Sequence, residues 1–425
     1  MEEVDEGFIL VPRDGGDAAD APDEYLSDID DFVGSLADSL WPLNLFIHAN
    51  PELAFNEFRA HDALTKFMRS QKGWRVTPSA YGLETAWTAV YDSGRKGPVV
   101  SFNAEMDALP NIGHACGHNL IATASVAAGL ATAEMMRQHH LPGKVIIIGT
   151  PGEEGGGGGK IRLLERGAYR GVDVSLISHP GVVNNSPLAV YTGRAAHAAN
   201  APWQGVNALD ALVIAYGAVS ALRQQTRPDD VIGLQIIDGG GAPNVIHAHA
   251  AGLAVLRSSS AARLEQLRSK VEACFRAGAV AAGATVHITT LKGYADHVPN
   301  RVLAASYTRC WEALPGEPPE PPIPSGGRFT FVKASTDQGN ISYALPSVNA
   351  SFAIPPGPKG GRNHSPDFEE AAGTRVAFER ALRVGKALAG TAVDVLAKPG
   401  MLETIKEQWK RDMKDGLDAD VNLTV

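Results

Sequence analysis

The sequence predicts an α/β protein: a larger domain on a central mixed, largely parallel sheet, with a smaller ferredoxin-like (βαββαβ) domain inserted into it. Three observations predict this. Short apolar runs at 98–103, 144–151 and 172–180 read as buried strands, and helical patterns alternate with them, as in a parallel sheet. Each run leads into metal-capable side chains, as expected where ligands collect beyond the carboxyl ends of strands. Between 187 and 298 the rhythm changes to β-α-β-β-α-β, a self-contained arrangement. At 425 residues the chain is also long for one hydrophobic core, so more than one domain is expected.

The elements follow in chain order. Residues 1–23 are rich in Asp, Glu, Gly and Ala and read as disordered. Over 25–48, Ile29, Phe32, Val33, Leu36, Leu40 and Leu43 recur at helical spacing, and 57–71 reads as a second helix. An Ala-rich helix is expected at 120–137, with Asn119 placed to cap it. The inserted domain offers strands at 187–196, 230–238, 249–258 and 284–292, with helices at 206–224 and 260–279. GEPPEPPIPSGG (316–327) reads as an exposed loop. SVNASFAI (347–354) reads as a further sheet strand, and a helix is expected over 368–388 after a glycine-rich loop. The expected domains are therefore 24–186 with 299–425 for the larger, discontinuous part, and 187–298 for the small inserted part.

Composition narrows the function class. A net charge of −9 gives no basic footprint for nucleic acid. Three cysteines, Cys116, Cys274 and Cys310, make no disulfide framework, and no apolar run is long enough to span a membrane. The opening MEEVDEG has neither the basic nor the apolar region of a secretory signal, so a reducing cytoplasmic setting is expected.

The segment NAEMDALPNIGHACGHN (103–119) concentrates the chemistry. His114, Cys116 and His118 fall at every second residue, which suits an extended segment, and Asp107 lies just upstream. A thiolate beside an imidazole suits a borderline-soft ion such as zinc. Glu153-Glu154 follow one strand, His179 ends another, and His364 sits in the late glycine-rich loop. Cys116, His118, Glu154, His179 and His364 are too many ligands for one tetrahedral zinc that keeps an open position. They suit two ions sharing a bridging group. One carboxylate of the Glu153-Glu154 pair is then spare to act as a general base. The bland alternatives are a polar loop for the first segment and a solvated turn for the acidic pair. His139, His140, His287 and His297 read as surface or loop residues, and His247 and His249 as structural, while the spacing of His114 would permit ligation. Cys274 and Cys310 read as inert buried thiols.

The blocks NAEMDALPNIGHACGHN, GEEGGGG, GRAAHAA with NALDA, NVIHAHAAGLAVLR, STDQGN and NHSPDFEEAAGT resemble, in order, those of a metallopeptidase and amidohydrolase family. That family contains aminoacylase, acetylornithine deacetylase, carboxypeptidase G and the auxin-conjugate (IAA-amino acid) hydrolases. The resemblance spans about 25–395 and is nearest to the sub-branch of β-alanyl dipeptidases and aminobenzoyl-glutamate hydrolase. It implies a hydrolase that cleaves the amide bond of a dipeptide or N-acyl amino acid with metal-activated water. Cys116 would bridge two divalent ions, zinc or manganese, with His118, Glu154, His179 and His364 as the other ligands. Glu153 would be the general base, and Asp107 would orient a ligating imidazole. His197, Asn244 and Arg257 would contact substrate, His197 at the oxyanion and Arg257 at a carboxylate, and the small domain would pair two copies into a homodimer. Asn119 stands where many auxin-conjugate hydrolases have Asp, and Asn103-Ala104-Glu105 where they have Arg-Ala-Asp, which argues against an auxin-type substrate. Two rival readings use the same residues: a site run towards amide formation, and a metal-binding protein that has lost catalysis.

Overall fold

The computed structural model describes residues 25–154, 157–179, 187–228, 230–258, 261–290, 294–295, 297–316, 336–361 and 363–418. The expectations for 1–23 and, beyond Gly316, for 317–327 fall outside them. The chain forms two compact units, one running to Val182 and resuming from His297 to Asp415, the other beginning at Val183 and ending at Asp296, with Gly416 onward counted to it.

The first unit opens with α1 (Leu26–Ala49), which buries Leu26, Ile29, Val33, Leu40, Leu43 and Ile47 as the periodicity requires. Then come α2 (Phe58–Arg69), β1 (Arg75–Thr77), β2 (Trp87–Asp92), β3 (Val99–Glu105), α3 (His118–Gln138), β4 (Lys144–Thr150), α4 (Gly159–Glu165) and β5 (Val174–His179). Helix α3 is buried on nearly every face. Small residues make that possible: a Cβ on Gly129 would stand 2.6 Å from Ile147 of β4. The helix begins at His118, capped by left-handed Gly117 rather than by Asn119. Asn119 lies in the first turn, where its amide donates to Asn44 Oδ1 and the Ala372 carbonyl, both at 3.0 Å. A long-range tie thus displaces the expected local cap.

The second unit contains β6 (Pro187–Thr192), β7 (Ala196–His197), α5 (Ala208–Leu222), β8 (Val231–Asp238), β9 (Val245–Ile246), β10 (His249–Arg257), α6 (Ala261–Ala282) and β11 (Thr285–Thr290). Its four-stranded antiparallel sheet has the order β11-β6-β10-β8. Tyr191, Leu212, Val219, Leu256, Val271 and Phe275 form its core, and the buried Tyr191 hydroxyl donates to the Phe275 carbonyl at 3.0 Å. The strand expected over 187–196 stops at Thr192. Gly193 packs where a Cβ would meet the Val206 carbonyl at 2.1 Å, and β7 leaves the sheet to pair with β9.

The chain then returns to the first unit through α7 (Arg301–Ala313), α8 (Gln338–Ala344), β12 (Ser347–Ser351), α9 (Pro366–Ala372), α10 (Arg375–Ala397) and α11 (Met401–Asp418). The helix expected over 368–388 is two helices. Thr374 caps the second through Ala377 N, and Gly373 passes so close to His48 that a Cβ would be 2.6 Å from its ring. The six-stranded sheet has the order β1-β2-β4-β3-β5-β12. Neighbours β4, β3, β5 and β12 run parallel, and β2 pairs antiparallel with both β1 and β4. The largely parallel sheet is therefore present, and its central strands end together. Among the described residues no helix is long and apolar enough to cross a membrane.

Candidate metal centre

The centre is assembled from the loops that leave β3 and β4. Residues 106–117 are not the extended segment that the alternate spacing suggested. They fold as turns, closed by a bridge between Leu109 and Gly113, and the Gly117 N–H donates to the His114 carbonyl at 2.8 Å. The turns bring Cys116 and His118 together and leave His114 buried beside His48, with ring centroids 6.2 Å apart. Cys116, His118 and Glu154 form one group with all three donor atoms within 4.8 Å of one another, and Glu105, His118 and Glu153 form a second.

His118 is the shared member, and its ring is fixed. Nδ1 lies 2.8 Å from the Asp107 carbonyl and 3.1 Å from Asp107 Oδ1. Nε2 then faces Glu105 Oε2 at 3.3 Å, Glu153 Oε2 at 3.7 Å and Glu154 Oε1 at 3.9 Å. Asp107 also accepts the Glu154 N–H through Oδ2 at 2.8 Å, which ties the loop after β4 to the loop after β3. His364 closes the group from the loop before α9: its N–H donates to the Ala115 carbonyl at 2.9 Å, and its Nε2 lies 3.5 Å from Glu154 Oε1.

Electrostatics favour a cation here. Burial raises the Cys116 thiol well above its usual range, and the Glu154 charge adds to it. Burial also raises Glu153 well above the carboxylate range, helped by Glu105 and Glu154. For His118 burial alone would lower the pKa, but Cys116, Glu105 and Asp107 outweigh it and raise it well above normal. Burial would raise Asp107, yet His118 outweighs that and leaves it below its usual value. Negative groups crowded into a dry site are what a divalent ion relieves. The donor set is sulfur, imidazole nitrogen and carboxylate oxygen, and Glu154 Oε1 is buried without a hydrogen-bond donor. These residues fit a borderline-soft divalent metal.

Other expected residues stand apart. His179 is the last residue of β5, and Arg257 the last of β10; both side chains lie outside the described structure. His197 and Asn244 belong to the second unit and are exposed. There β7 and β9 bring them close, with His197 paired to Val245 and the Ala198 N–H donating to the Asn244 carbonyl at 3.0 Å. His197 Nδ1 accepts the N–H groups of Ala199 at 3.3 Å and Asn200 at 3.1 Å. With Nδ1 accepting, the proton of the neutral ring sits on Nε2.

Four buried residues carry weight that their spacing did not reveal. Glu57 Oε1 accepts the N–H groups of Phe55 and Gly152, each at 2.8 Å, and Oε2 accepts the Thr85 hydroxyl at 2.7 Å. It thereby holds the loop that carries Glu153. Glu105 and Lys160 form a buried ion pair, joined by Asp337. The available signals were a glutamate ending an apolar strand and a lysine following a glycine run.

Comparison with known proteins places this geometry. The family described as Peptidase family M20/M25/M40 matches residues 101–377. The Xaa-Arg dipeptidase of Mus musculus is 38% identical over 403 residues, covering 90% of this chain and 91% of its own length. A p-aminobenzoyl-glutamate hydrolase polypeptide of Escherichia coli is 30% identical over 296 residues, covering 63% of this chain and 59% of its own length. A dinuclear metal binding peptidase of the M20 family from Bacillus subtilis shares the fold, with a TM-score of 0.62 and 18% identity, covering 86% of this chain and 99% of that one. Matching family, relatives and buried donor groups make the chain a metal-dependent amidohydrolase or peptidase, as the motif blocks led one to expect. The chain belongs to peptidase family M20/M25/M40.

Proposed function

We propose that this enzyme hydrolyses the amide bond of a dipeptide or an N-acyl amino acid at a centre for two divalent ions. One observation carries the reading: buried sulfur, imidazole and carboxylate donors from the loops after two parallel strands meet around His118, with a second carboxylate, Glu153, beside the candidate ligand Glu154. In this reading Cys116, His118, Glu154, His179 and His364 hold the ions, with zinc first and manganese second by donor chemistry. Bound there, such ions lower the pKa of a water and polarise the substrate carbonyl. Glu153 takes a proton from the attacking water as the carbon–oxygen bond forms. It returns that proton to the amine nitrogen as the carbon–nitrogen bond breaks. Asp107 keeps the His118 ring oriented through Nδ1.

The domain reading is 24–186 with 299–425 for catalysis and 187–298 for a small domain, and the division of the chain into two units supports it. The order β11-β6-β10-β8 with two helices supports a ferredoxin-like small domain. His197 donates to the developing oxyanion, while Asn244 and Arg257 hold the substrate, the guanidinium fork of Arg257 matching a carboxylate. The small domain is also our proposed homodimer contact. Its β8 has one neighbour in the sheet, and Ile236 and Ile237 on it, like Val213, Ile214 and Tyr216 on α5, are exposed.

Relationship to the mouse dipeptidase over most of both chains makes Xaa-Arg dipeptides the first substrates to try. The test is a panel of dipeptides and N-acyl amino acids, with metal measured per chain. The expected result is close to two divalent ions and turnover that chelation abolishes. Activity retained with no more than trace metal would overturn the reading.

A further inference from the structure

The buried ion cluster behind the metal centre has a role of its own. Glu105 ends β3, the middle strand between β4 and β5, and it is fully buried. Its Oε1 is paired with Lys160 Nζ, which also pairs with Asp337 Oδ1. Asp337 Oδ2 accepts the Lys160 backbone N–H at 2.7 Å, and all three residues are 0% exposed. A lysine so enclosed is kept protonated: burial would lower its pKa, but Asp337 and Glu105 outweigh that and raise it. With both carboxylates ionised the cluster carries one more negative charge than positive, a state that burial opposes at Asp337.

The second oxygen of Glu105 shows where that charge is used. Lys160 holds Oε1 on one side, so Oε2 is turned the other way, 3.3 Å from His118 Nε2. Two donors each about 2.1 Å from one ion at a near-tetrahedral angle stand roughly 3.4 Å apart, so this spacing, which without an ion is that of an imidazole–carboxylate pair, also fits two ligands of a common ion. Glu105, His118 and Glu153 present their donor atoms within 4.8 Å of one another. Independently, Glu154 Oε1, on a side chain 10% exposed, points at the same imidazole nitrogen from 3.9 Å and accepts no hydrogen bond.

We propose that Glu105 is a further carboxylate ligand of the metal centre, and that Lys160, itself anchored by Asp337, is the positioning residue that aims it. This rests on the proposed dinuclear centre and adds a ligand to it. Lys160 fixes one carboxylate oxygen, which favours binding through the other oxygen alone. It also offsets part of the negative charge that a dry pocket would otherwise hold when no metal is present.

Chelator-stripped protein is titrated calorimetrically with zinc, and the cobalt-substituted form is examined by absorption spectroscopy. Glu105→Gln keeps the size of the side chain and leaves Lys160 paired with Asp337. It is expected to bind one of the two ions roughly 10–100-fold more weakly and to change the cobalt ligand-field bands. Glu105→Asp keeps the charge but withdraws the carboxylate by a methylene, and the same direction is expected should the glutamine variant fail to fold. Lys160→Gln is expected to weaken the same ion and alter the same bands, because the carboxylate loses its aim. Unchanged zinc affinity and unchanged cobalt bands in the folded Glu105 variants, with only a lower melting temperature, would make the cluster purely structural and overturn the proposal. The same result for Lys160→Gln alone would remove its positioning role. Wild-type protein that binds no zinc would instead defeat the proposed function itself.

Discussion

The two units present candidate functional groups in opposite ways. In the first, Glu105, Asp107 and His118 are wholly buried, and the His118 ring is held at Nδ1 by Asp107. In the second, His197 and Asn244 are exposed on a short two-stranded ribbon. A buried, pre-oriented cluster binds an ion without reorganising, and its charges interact strongly because water is excluded. An exposed imidazole is screened by solvent and contributes little until water leaves its surroundings. On the proposed reading, the difference teaches that metal capture is built into one unit, whereas oxyanion stabilisation by His197 would wait for its surroundings to dry.

The comparison can be broken at four points. The largest effect is expected at Glu153, where Glu153→Gln keeps shape but removes the proton acceptor and should lower turnover by ~10²–10⁴-fold. Metal content should not change, in contrast to Glu154→Ala, which should lose metal. Steady-state rates paired with elemental analysis check both; near-normal turnover of Glu153→Gln would reverse the two assignments. His197→Ala should cost ~10²–10³-fold in turnover with metal intact, as loss of an oxyanion donor does. Mixing it with Glu153→Gln protein should restore some activity if the histidine serves a partner copy. A mixture that stays inactive despite proven subunit exchange would exclude that route.

A smaller effect is expected at Asp107, which touches no ion in the proposed scheme. Asp107→Asn should weaken metal binding roughly 10–100-fold, measured by competition with a chromogenic chelator, because the His118 ring loses its fixed orientation. The smallest change is in stability. Burial, followed by the Asp107 charge, pushes Glu57 up to about 7. Its folded-state pKa is thus above the unfolded value, so its contribution is fully present below about pH 4.5 and is lost as pH rises through about 7. In metal-free protein, Glu57→Gln should remove a decline of order 3 kcal/mol across that window, read from denaturant melts at several pH values. An unchanged pH dependence would show that Glu57 stays protonated or is hydrated.

Much of the centre was legible because its chemistry is local in sequence. Cys116 and His118 are two residues apart, and Glu153 and Glu154 are adjacent at the end of an apolar strand. Their residue types survive any change of backbone path, which is why the ligand group is legible even though the 106–117 segment folds as turns and not as a strand. Asn119 looks like a cap for the converse reason: its true partners, Asn44 and Ala372, are distant in the chain. The break between α9 and α10 is hidden in the same way, since Gly373 is needed only because His48 lies against it.

The sequence by itself determined the secondary-structure rhythm, the donor types and the family. Periodicity, strand length and short motifs are properties of neighbours along the chain. Tertiary structure alone decided which carboxylates share a space. Lys160 meets Glu105 and Asp337 across separations of 55 and 177 residues, and Glu57 reaches Gly152 across 95. No spacing rule encodes such pairs. They exist because each is buried, and a buried charge or backbone donor must find its partner wherever the fold brings one.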